Sequence, residues 1–269
     1  MPVSAGAVRK LLRDVTSAGS RQHVLAVGGA PGLAPLLRQQ FLRGHAMQKA
    51  VRVGGPDGAA VYVHVLSGGV EGQDVAMLRR ALRARVPVVA VAVGFAEDVT
   101  VPYVLATDVV WVDAGRAFPL EAIARAIAAR LGEHGAPLAA RVPLLREPVG
   151  EQLVASFARR NGIVAAAVWI PGADLPVLAL NELRLVLRLA QAHDASGELR
   201  DRLPEVAATL GSAFFLRALA RALGVVPAAS CAVKVGVAYA GTRALGEAAR
   251  LRFELAPTQR PAGAPRAAP

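Results

Sequence analysis

A glycine-rich turn between a strand-like run and a helix-like run is the first feature of this chain that could do chemistry. It lies in VLAVGGAPGLAPLLRQQF, from Val24 to Phe41. This is the layout of a phosphate-binding loop, in which backbone N–H groups at a helix start surround the phosphates. Such a loop also needs a lysine to neutralise the phosphates and a hydroxyl side chain to ligate magnesium. Those two side chains decide whether the turn can support catalysis.

Both side chains are missing. When the pattern G-x-x-x-x-G-K-[ST] begins at Gly29, Ala34 stands where the second glycine belongs. Pro35 replaces the lysine and Leu36 the hydroxyl residue, and the proline also removes an N–H donor. Only Gly29 and Gly32 remain as degenerate nucleotide-binding residues, and backbone glycines alone carry no hydrolysis. We therefore predict no catalytic residue, no metal site and no cofactor.

Other residues that could do chemistry are isolated from one another. The five histidines include no pair spaced four apart, and His64 lies in a valine-rich run typical of a strand, which favours a satisfied core histidine over a ligand. Glu71 and Asp74 fall at a predicted helix start, where acids complement the helix dipole. The single cysteine, Cys231, excludes an intrachain disulfide and a multi-cysteine metal site. It is interpreted as a small buried hydrophobe.

The charge distribution does not favour nucleic-acid binding, and the N-terminal segment does not favour export. The 269 residues carry a formal net charge of +11, but the excess is shared between the two halves without a basic cluster. Aromatic residues make up only 4% of the chain, so a stacking platform is missing as well, and we predict no specific nucleic-acid binding. No apolar stretch follows the N-terminal Arg9, Lys10 and Arg13, unlike in a signal peptide. Cytoplasmic residence is the expectation, with association with the inner membrane left open.

Strand-like and helix-like runs alternate in the first half of the chain. The strand-like runs are rich in valine with almost no polar alternation, which is typical of parallel strands buried on both faces. Alternation with helices indicates an α/β fold with a doubly wound, mostly parallel sheet. The strand-like runs lie at 23–29, 59–69, 86–95 and 107–115, and the helical patterns at 33–43, 73–85 and 119–131.

The strand signal disappears in the second half. The pattern predicts helices over about 151–168, 174–193, 199–223 and 228–254. We therefore divide the chain into an α/β domain over 1–135, a proline-containing linker over 136–150 and an all-α helical bundle domain over 151–255. The Pro/Ala-rich tail at 256–269 is predicted to be disordered.

The first half resembles a known family. VYVHVLSGGVEGQDVAMLRRALRARVPVVAVAVGF is similar to the central strand–helix–strand of Era-type small GTPases, and VDAGRAFPLEAIARAIAARL to their last strand, glycine turn and closing helix. The resemblance implies a P-loop-GTPase-like sheet with nucleotide contacts at the loop. The Asp-x-x-Gly candidate at Asp57 ends in Ala60, and only the last position of Gly94–Glu97 matches Asn-Lys-x-Asp. The resemblance and its missing motifs together predict a pseudo-GTPase. The alternative is an ordinary α/β domain of other ancestry.

The second half resembles a bacterial helical domain, domain-of-unknown-function family 697. The similarity lies in IPGADLPVLALNELRLVLRLAQAHD and VKVGVAYAGTRALGEAARLRFE. The family has no established activity, and some members resemble inner-membrane proteins. The residues of this helical-domain motif are Pro171, Gly172, Asp174, Arg184, Arg188, Gly241, Thr242, Arg243, Gly246 and Glu247.

Some of these motif residues admit two interpretations. Asp174 fits a helix cap or an acid at membrane depth. Arg184 and Arg188, four apart, fit a solvated helix face or a basic face for anionic headgroups or an acidic partner. Small residues around Gly246 favour close helix packing. Arg243 and Glu247, four apart, with Arg250 three further on, fit a surface ladder of charges.

We expect a non-enzymatic scaffold or adaptor that acts through its helical domain on an unknown protein partner. The alternatives are a protein that inserts in or lies on an anionic membrane surface, and a GTP-binding switch. Homo-oligomerisation stays open.

Overall fold

The fold is built around a five-stranded sheet. The structure, a computed structural model, describes residues 23–43, 46–95, 99–167, 175–193 and 231–255. All strands run parallel in the order β2-β1-β3-β4-β5, so that β1 is an interior strand with Val27 opposite Val53 on one side and Val63 on the other. The strands are β1 Leu25–Gly29, β2 Val51–Val53, β3 Val61–Ser67, β4 Val88–Val93 and β5 Val109–Val112.

Seven α-helices accompany the sheet within the described ranges. They are α1 Leu33–Phe41, α2 Gly72–Arg83, α3 Leu120–Leu131, α4 Ala136–Arg141, α5 Arg146–Ala167, α6 Leu175–His193 and α7 Cys231–Leu255. Short 3₁₀ turns lie at 48–50, 106–108, 132–135 and 143–145. None of these helices combines the length and the apolar composition that a crossing of the bilayer needs.

Helices cover both faces of the sheet. Val61, Val63 and Val65 of β3 belong to the apolar cluster that contains α1 and α3. Tyr62 and Leu66 point to the other face, where α2 packs. Because side chains alternate along a strand, a run without polar residues is buried on both sides. The prediction of an α/β fold with a doubly wound parallel sheet is confirmed.

Strand β2 was not predicted from the sequence. β2 has only three residues, and the central one, Arg52, is polar. A run this short shows no periodicity, although Val51 is buried against β1. The other four strands fall within the predicted runs, and α1, α2 and α3 lie where the helical patterns were found.

The segment predicted as a linker, 136–150, is helical and largely buried. It forms α4, a 3₁₀ turn and the start of α5. Pro137 and Pro148 sit in the first turns of α4 and α5, where a missing N–H group costs no helical hydrogen bond. One apolar cluster continues from the sheet through this segment into α5, α6 and α7. The division into two domains stays a prediction, and the predicted helix at 199–223 and tail at 256–269 lie outside the described residues.

Glycines let α5 and α7 approach each other closely. A Cβ atom at Gly246 of α7 would lie 2.7 Å from Val154 of α5, and one at Gly162 of α5 would lie 3.5 Å from Val235 of α7. The numbering rises along one helix as it falls along the other, so α5 and α7 are antiparallel. Gly246 therefore serves close packing, as its neighbours in the sequence suggested.

Candidate functional site

The turn after β1 is closed by its own hydrogen bonds. The N–H group of Ala30 donates to the carbonyl oxygen of Val65 at 2.8 Å. The N–H groups of Leu33 and Ala34, at the start of α1, donate to the carbonyl oxygen of Ala30 at 3.1 and 3.0 Å. Pro31 has no N–H group. The N–H groups of Ala30, Leu33 and Ala34, which could surround a phosphate, are thus already used, and Pro31 has none to offer.

The two candidate nucleotide-binding glycines have different surroundings. Gly29 has a φ of 95°, and a Cβ atom there would overlap the carbonyl group of Val65 in the neighbouring strand. Gly32, at the start of α1, has a φ of −78°, and its Cβ position faces open space. The structure therefore requires glycine at position 29 for the contact between β1 and β3, whereas position 32 would accept a side chain.

Three side chains form a hydrogen-bonded network near the turn after β1, on the face of the sheet that α2 covers. The hydroxyl group of Tyr62 is 2.8 Å from Nδ1 of His64, and Nε2 of His64 is 2.8 Å from Oδ1 of Asp74. The other carboxylate oxygen of Asp74 accepts the N–H group of Glu71 at 2.9 Å, which completes a capping box at the start of α2. His64 is 1% exposed and is the satisfied core histidine that the sequence predicted.

Burial controls the protonation of His64 and Tyr62 in this network. Burial lowers the pKa of His64, and the hydrogen bond and charge of Asp74 oppose that shift. Burial also raises the pKa of the Tyr62 hydroxyl, and the Asp74 charge adds to the rise. A neutral imidazole donates Nε2–H to the carboxylate and accepts a hydrogen bond from the Tyr62 hydroxyl group at Nδ1. Tyr62 and His64 are buried in the core, whereas Asp74 is partly exposed at the start of α2, so this network ties the sheet to α2.

The lowered pKa of His64 predicts a loss of stability in mild acid. The unfolded chain binds a proton at His64 near pH 6.5, whereas the folded chain resists it. His64 therefore contributes stability above about pH 6.5 that is lost as the pH falls towards its folded pKa, with a slope of at most about 1.4 kcal/mol per pH unit. Urea unfolding between pH 7.5 and 5 should show this slope. His64→Asn should remove it and His134→Asn, at an exposed position, should keep it; equal slopes in both variants would contradict the assignment.

A second polar network joins the three long helices. Nδ2 of Asn181 in α6 donates to Oδ1 of Asn161 in α5 at 2.8 Å. Nδ2 of Asn161 donates to Oγ1 of Thr242 in α7, also at 2.8 Å. The Thr242 hydroxyl group donates to Oε1 of Glu182 at 3.2 Å. Asn161, Thr242 and Glu182 are each at most 1% exposed, so the network lies inside the bundle.

Thr242 is the only member of this network among the residues of the helical-domain motif. A signal for Glu182 was present, because it shares one helix face with the buried Leu178, Leu185 and Leu189. A charged residue on an apolar face marks a site that needs polar partners. Asn161 and Asn181 gave no comparable signal, since an amide is common on any helix surface.

The arginines of the motif do not share one environment. Arg188 is 7% exposed and donates from Nη1 to Gln191 at 3.0 Å, whereas Arg184 is half-buried. Arg243 is exposed and donates to the hydroxyl group of Tyr239 at 3.3 Å. The pair four residues apart is therefore not a uniformly solvated face.

Glu247 belongs to a cluster around Arg250. Atoms of the Arg250 guanidinium lie 3.5 Å from Glu151 and Glu247 and 3.4 Å from Glu254. Gly150 gives room for the arginine stem, because a Cβ atom there would lie 3.1 Å from Cδ of Arg250. Of the expected charge ladder on α7, the Arg250–Glu247 pair is present and extends to Glu151 of α5, whereas Arg243 bonds to Tyr239.

The structure does not gather the remaining motif residues into one site. Gly241 is exposed on α7. Pro171, Gly172 and Asp174 lie outside the described residues, so the choice between a helix cap and a membrane-depth acid at Asp174 stays open. Within the described ranges, no three His, Cys, Asp or Glu side chains are grouped so that they could hold a metal ion.

Comparisons with protein-family models, curated proteins and solved structures give no match. The resemblances to Era-type GTPases and to the bacterial helical family therefore stay predictions, and any assignment of function rests on the geometry of this chain.

Proposed function

We propose that this chain is a non-enzymatic scaffold or adaptor, with a degenerate GTPase-like α/β domain and a helical domain that binds a protein partner. The observation that carries the proposal is the closed turn after β1. The carbonyl oxygen of Ala30 accepts the N–H groups of both Leu33 and Ala34, which stand at the start of α1. A phosphate would have to break these bonds, and the turn has no cation to offset that cost.

The position of the turn adds support. In doubly wound sheets, ligands bind outside the carboxyl ends of the strands, where neighbouring connections leave on opposite faces. In this sheet β1 and β3 meet that description, because α1 and α2 cover opposite faces. Protein groups lie close together at this end of the two strands: Ala30 bonds to Val65, and a Cβ atom at Gly28 would overlap the hydroxyl group of Tyr62.

The helical half supports a protein partner more than a lipid surface. Arg188 is almost fully buried and so does not face headgroups, and Arg243 is already bonded to Tyr239. The buried network through Asn161 and Thr242 ties three helices together and makes a stiff platform. We propose this role for the cytoplasm, and we propose no nucleic-acid partner because the excess positive charge is spread over the whole chain.

Thermal unfolding with GTP, GDP and ATP, each with magnesium, tests the proposal. A ligand present at 100 times its Kd adds about 2.7 kcal/mol to the free energy of unfolding. For a chain of this size that is a rise in Tm on the order of 5–10 °C. We expect no nucleotide to produce such a rise.

A Gly32→Asp variant serves as the matched control. Aspartate is well tolerated at a helix start, and its charge would repel a phosphate from the turn. A rise in the wild-type protein that this variant loses would place a nucleotide at the turn and overturn the proposal. A rise that persists in the variant would overturn it too, because a nucleotide would then bind elsewhere.

A further inference from the structure

Strand β5 is the last strand on one side of the sheet. Among the described strands it pairs only with β4, and the bond from the N–H group of Gly94 to the carbonyl oxygen of Val112 fixes which residues face β4. Because backbone groups alternate in direction along a strand, the N–H and C=O groups of Trp111 and the C=O group of Val109 point away from β4. Within the described ranges no group bonds to them.

One backbone group on the opposite edge is already bonded. On β2, Nε of Arg38 donates to the carbonyl oxygen of Val51 at 3.0 Å. Proteins commonly cover or charge their sheet edges in this way, because an open edge invites another strand. The bond from Gly54 N–H to Val27 fixes the direction of the β2 groups, and those of Val53 also point away from β1. Within the described ranges the two edges are therefore distinguished by the apolar cleft that adjoins β5.

A cleft of about 630 Å³ adjoins β5 on the face that α2 covers farther along the sheet. The connection between β3 and β4 contains α2, whereas the described part of the connection between β4 and β5 contains only a 3₁₀ turn. Parallel sheets are normally covered by helices on both faces, so apolar surface is left open here. Its apolar lining includes Ala92, Phe95, Val101, Val104, Val109 and Trp111.

The aromatic rings and a strained residue stand at this cleft. Trp111 is 47% exposed, and its ring meets that of Phe95 edge to face with centroids 6.0 Å apart. Tyr103, beside the cleft-lining Val104, has a φ of 64°, which is uncommon for a residue with a side chain. Arg79 of α2 donates to the hydroxyl group of Tyr103 at 3.1 Å and so holds this segment in place. Strained backbone of this kind concentrates at binding sites.

We propose that β5 and the adjoining cleft bind an extended, apolar segment of a partner protein, which adds to the sheet as a sixth strand. The inference rests on the proposed adaptor role and names a class of partner for it. Main-chain bonds to Val109 and Trp111 supply affinity, and every second side chain of the segment enters the cleft and supplies specificity.

Charge and size favour a short segment. Asp113 follows β5, and its surface ion pair with Arg116, at 3.6 Å, is easily exchanged, so a basic residue in the segment finds a carboxylate there. β5 has four residues and spans only about 13 Å. A stable dimer buries about 800 Å² on each partner, more than this edge offers to a second copy.

Capped, fluorescein-labelled peptides of the sequence KTVTFTVTK test the inference by fluorescence anisotropy with the full chain. Two further peptides carry N-methyl groups, one on the odd-numbered and the other on the even-numbered internal amides. We expect saturable binding of the parent peptide, a loss of at least tenfold in affinity for one methylated peptide, and a change within twofold for the other. Replacing the central phenylalanine by serine should also cost at least tenfold.

Two protein variants locate the binding. Trp111→Lys puts a charge on β5 and should weaken binding at least tenfold, whereas Val53→Lys, an equally exposed position on the β2 edge, should leave it within twofold. Thermal unfolding shows that each variant is folded. No saturable binding up to 1 mM, or methylated peptides that behave alike, would overturn the inference. So would a dimer that Trp111→Lys converts to a monomer, because the occupant would then be a second copy.

The two proposals fail in different ways. A nucleotide-specific rise in Tm overturns the proposed function whatever the peptides do. Absence of peptide binding without any nucleotide effect overturns only this inference and leaves the adaptor role to another surface.

Discussion

Gly29→Ala should cost about 3–5 kcal/mol in the free energy of unfolding, whereas Gly32→Ala should change it by less than about 1 kcal/mol. At position 29 the φ of 95° already disfavours any side chain, by roughly 1–2 kcal/mol. The new Cβ atom would also overlap the carbonyl group of Val65. Since the N–H group of Ala30 bonds to that carbonyl, relief of the overlap separates β1 from β3 at the centre of the sheet.

Gly32 supplies the matched control within the same turn. Its φ of −78° suits alanine, and its Cβ position is open. The loss of a favourable helix-start residue and the gain from a stiffer unfolded chain oppose each other. Denaturant unfolding of both variants measures the difference. Equal effects would mean that the contact between β1 and β3 is not the reason for Gly29.

Local patterns were enough to predict most of the sheet. Valine-rich runs without polar alternation predicted four of the five strands. The glycines predicted the position of the turn after β1. The spacing could not show why the glycines are there. Gly29 resembles a phosphate contact in the sequence and is a strand-packing position in the structure, because Val65, which it approaches, lies 36 residues away.

The linker prediction for 136–150 depended on its prolines. Proline breaks a helix interior but is accommodated in a first turn. Pro137 and Pro148 both occupy first turns, so the residues that suggested a connection are compatible with α4 and α5.

Polar networks differ in how much of them a sequence reveals. His64 and Asp74 are ten residues apart, in a strand and at the start of the next helix, so a strand–helix prediction brings them close. Asn161 and Thr242 are 81 residues apart, and nothing local links them. The cleft beside β5 is harder still to foresee, because it arises where the described connection between β4 and β5 provides no α-helix.

Asn161→Ala should be the most damaging substitution in the helical half, with a loss of about 2–4 kcal/mol. Asn161 is completely buried and is the central member of its network, accepting from Asn181 and donating to Thr242. Truncation removes both hydrogen bonds and leaves a cavity between α5, α6 and α7. Arg159→Ala, on the exposed side of α5, should stay within about 0.5 kcal/mol.

A double-mutant cycle separates the network from simple loss of packing. Asn161→Leu keeps most of the volume but not the hydrogen bonds, so it should cost nearly as much as Asn161→Ala. Thr242→Val removes the hydroxyl group that joins Asn161 to Glu182. Combined with Asn161→Leu, it should cost less than the sum of the two single effects, by at least about 0.5 kcal/mol, because both variants break the same bond. Additive effects, or an Asn161→Leu variant as stable as the wild-type protein, would show that packing rather than the buried polar network holds the three helices together.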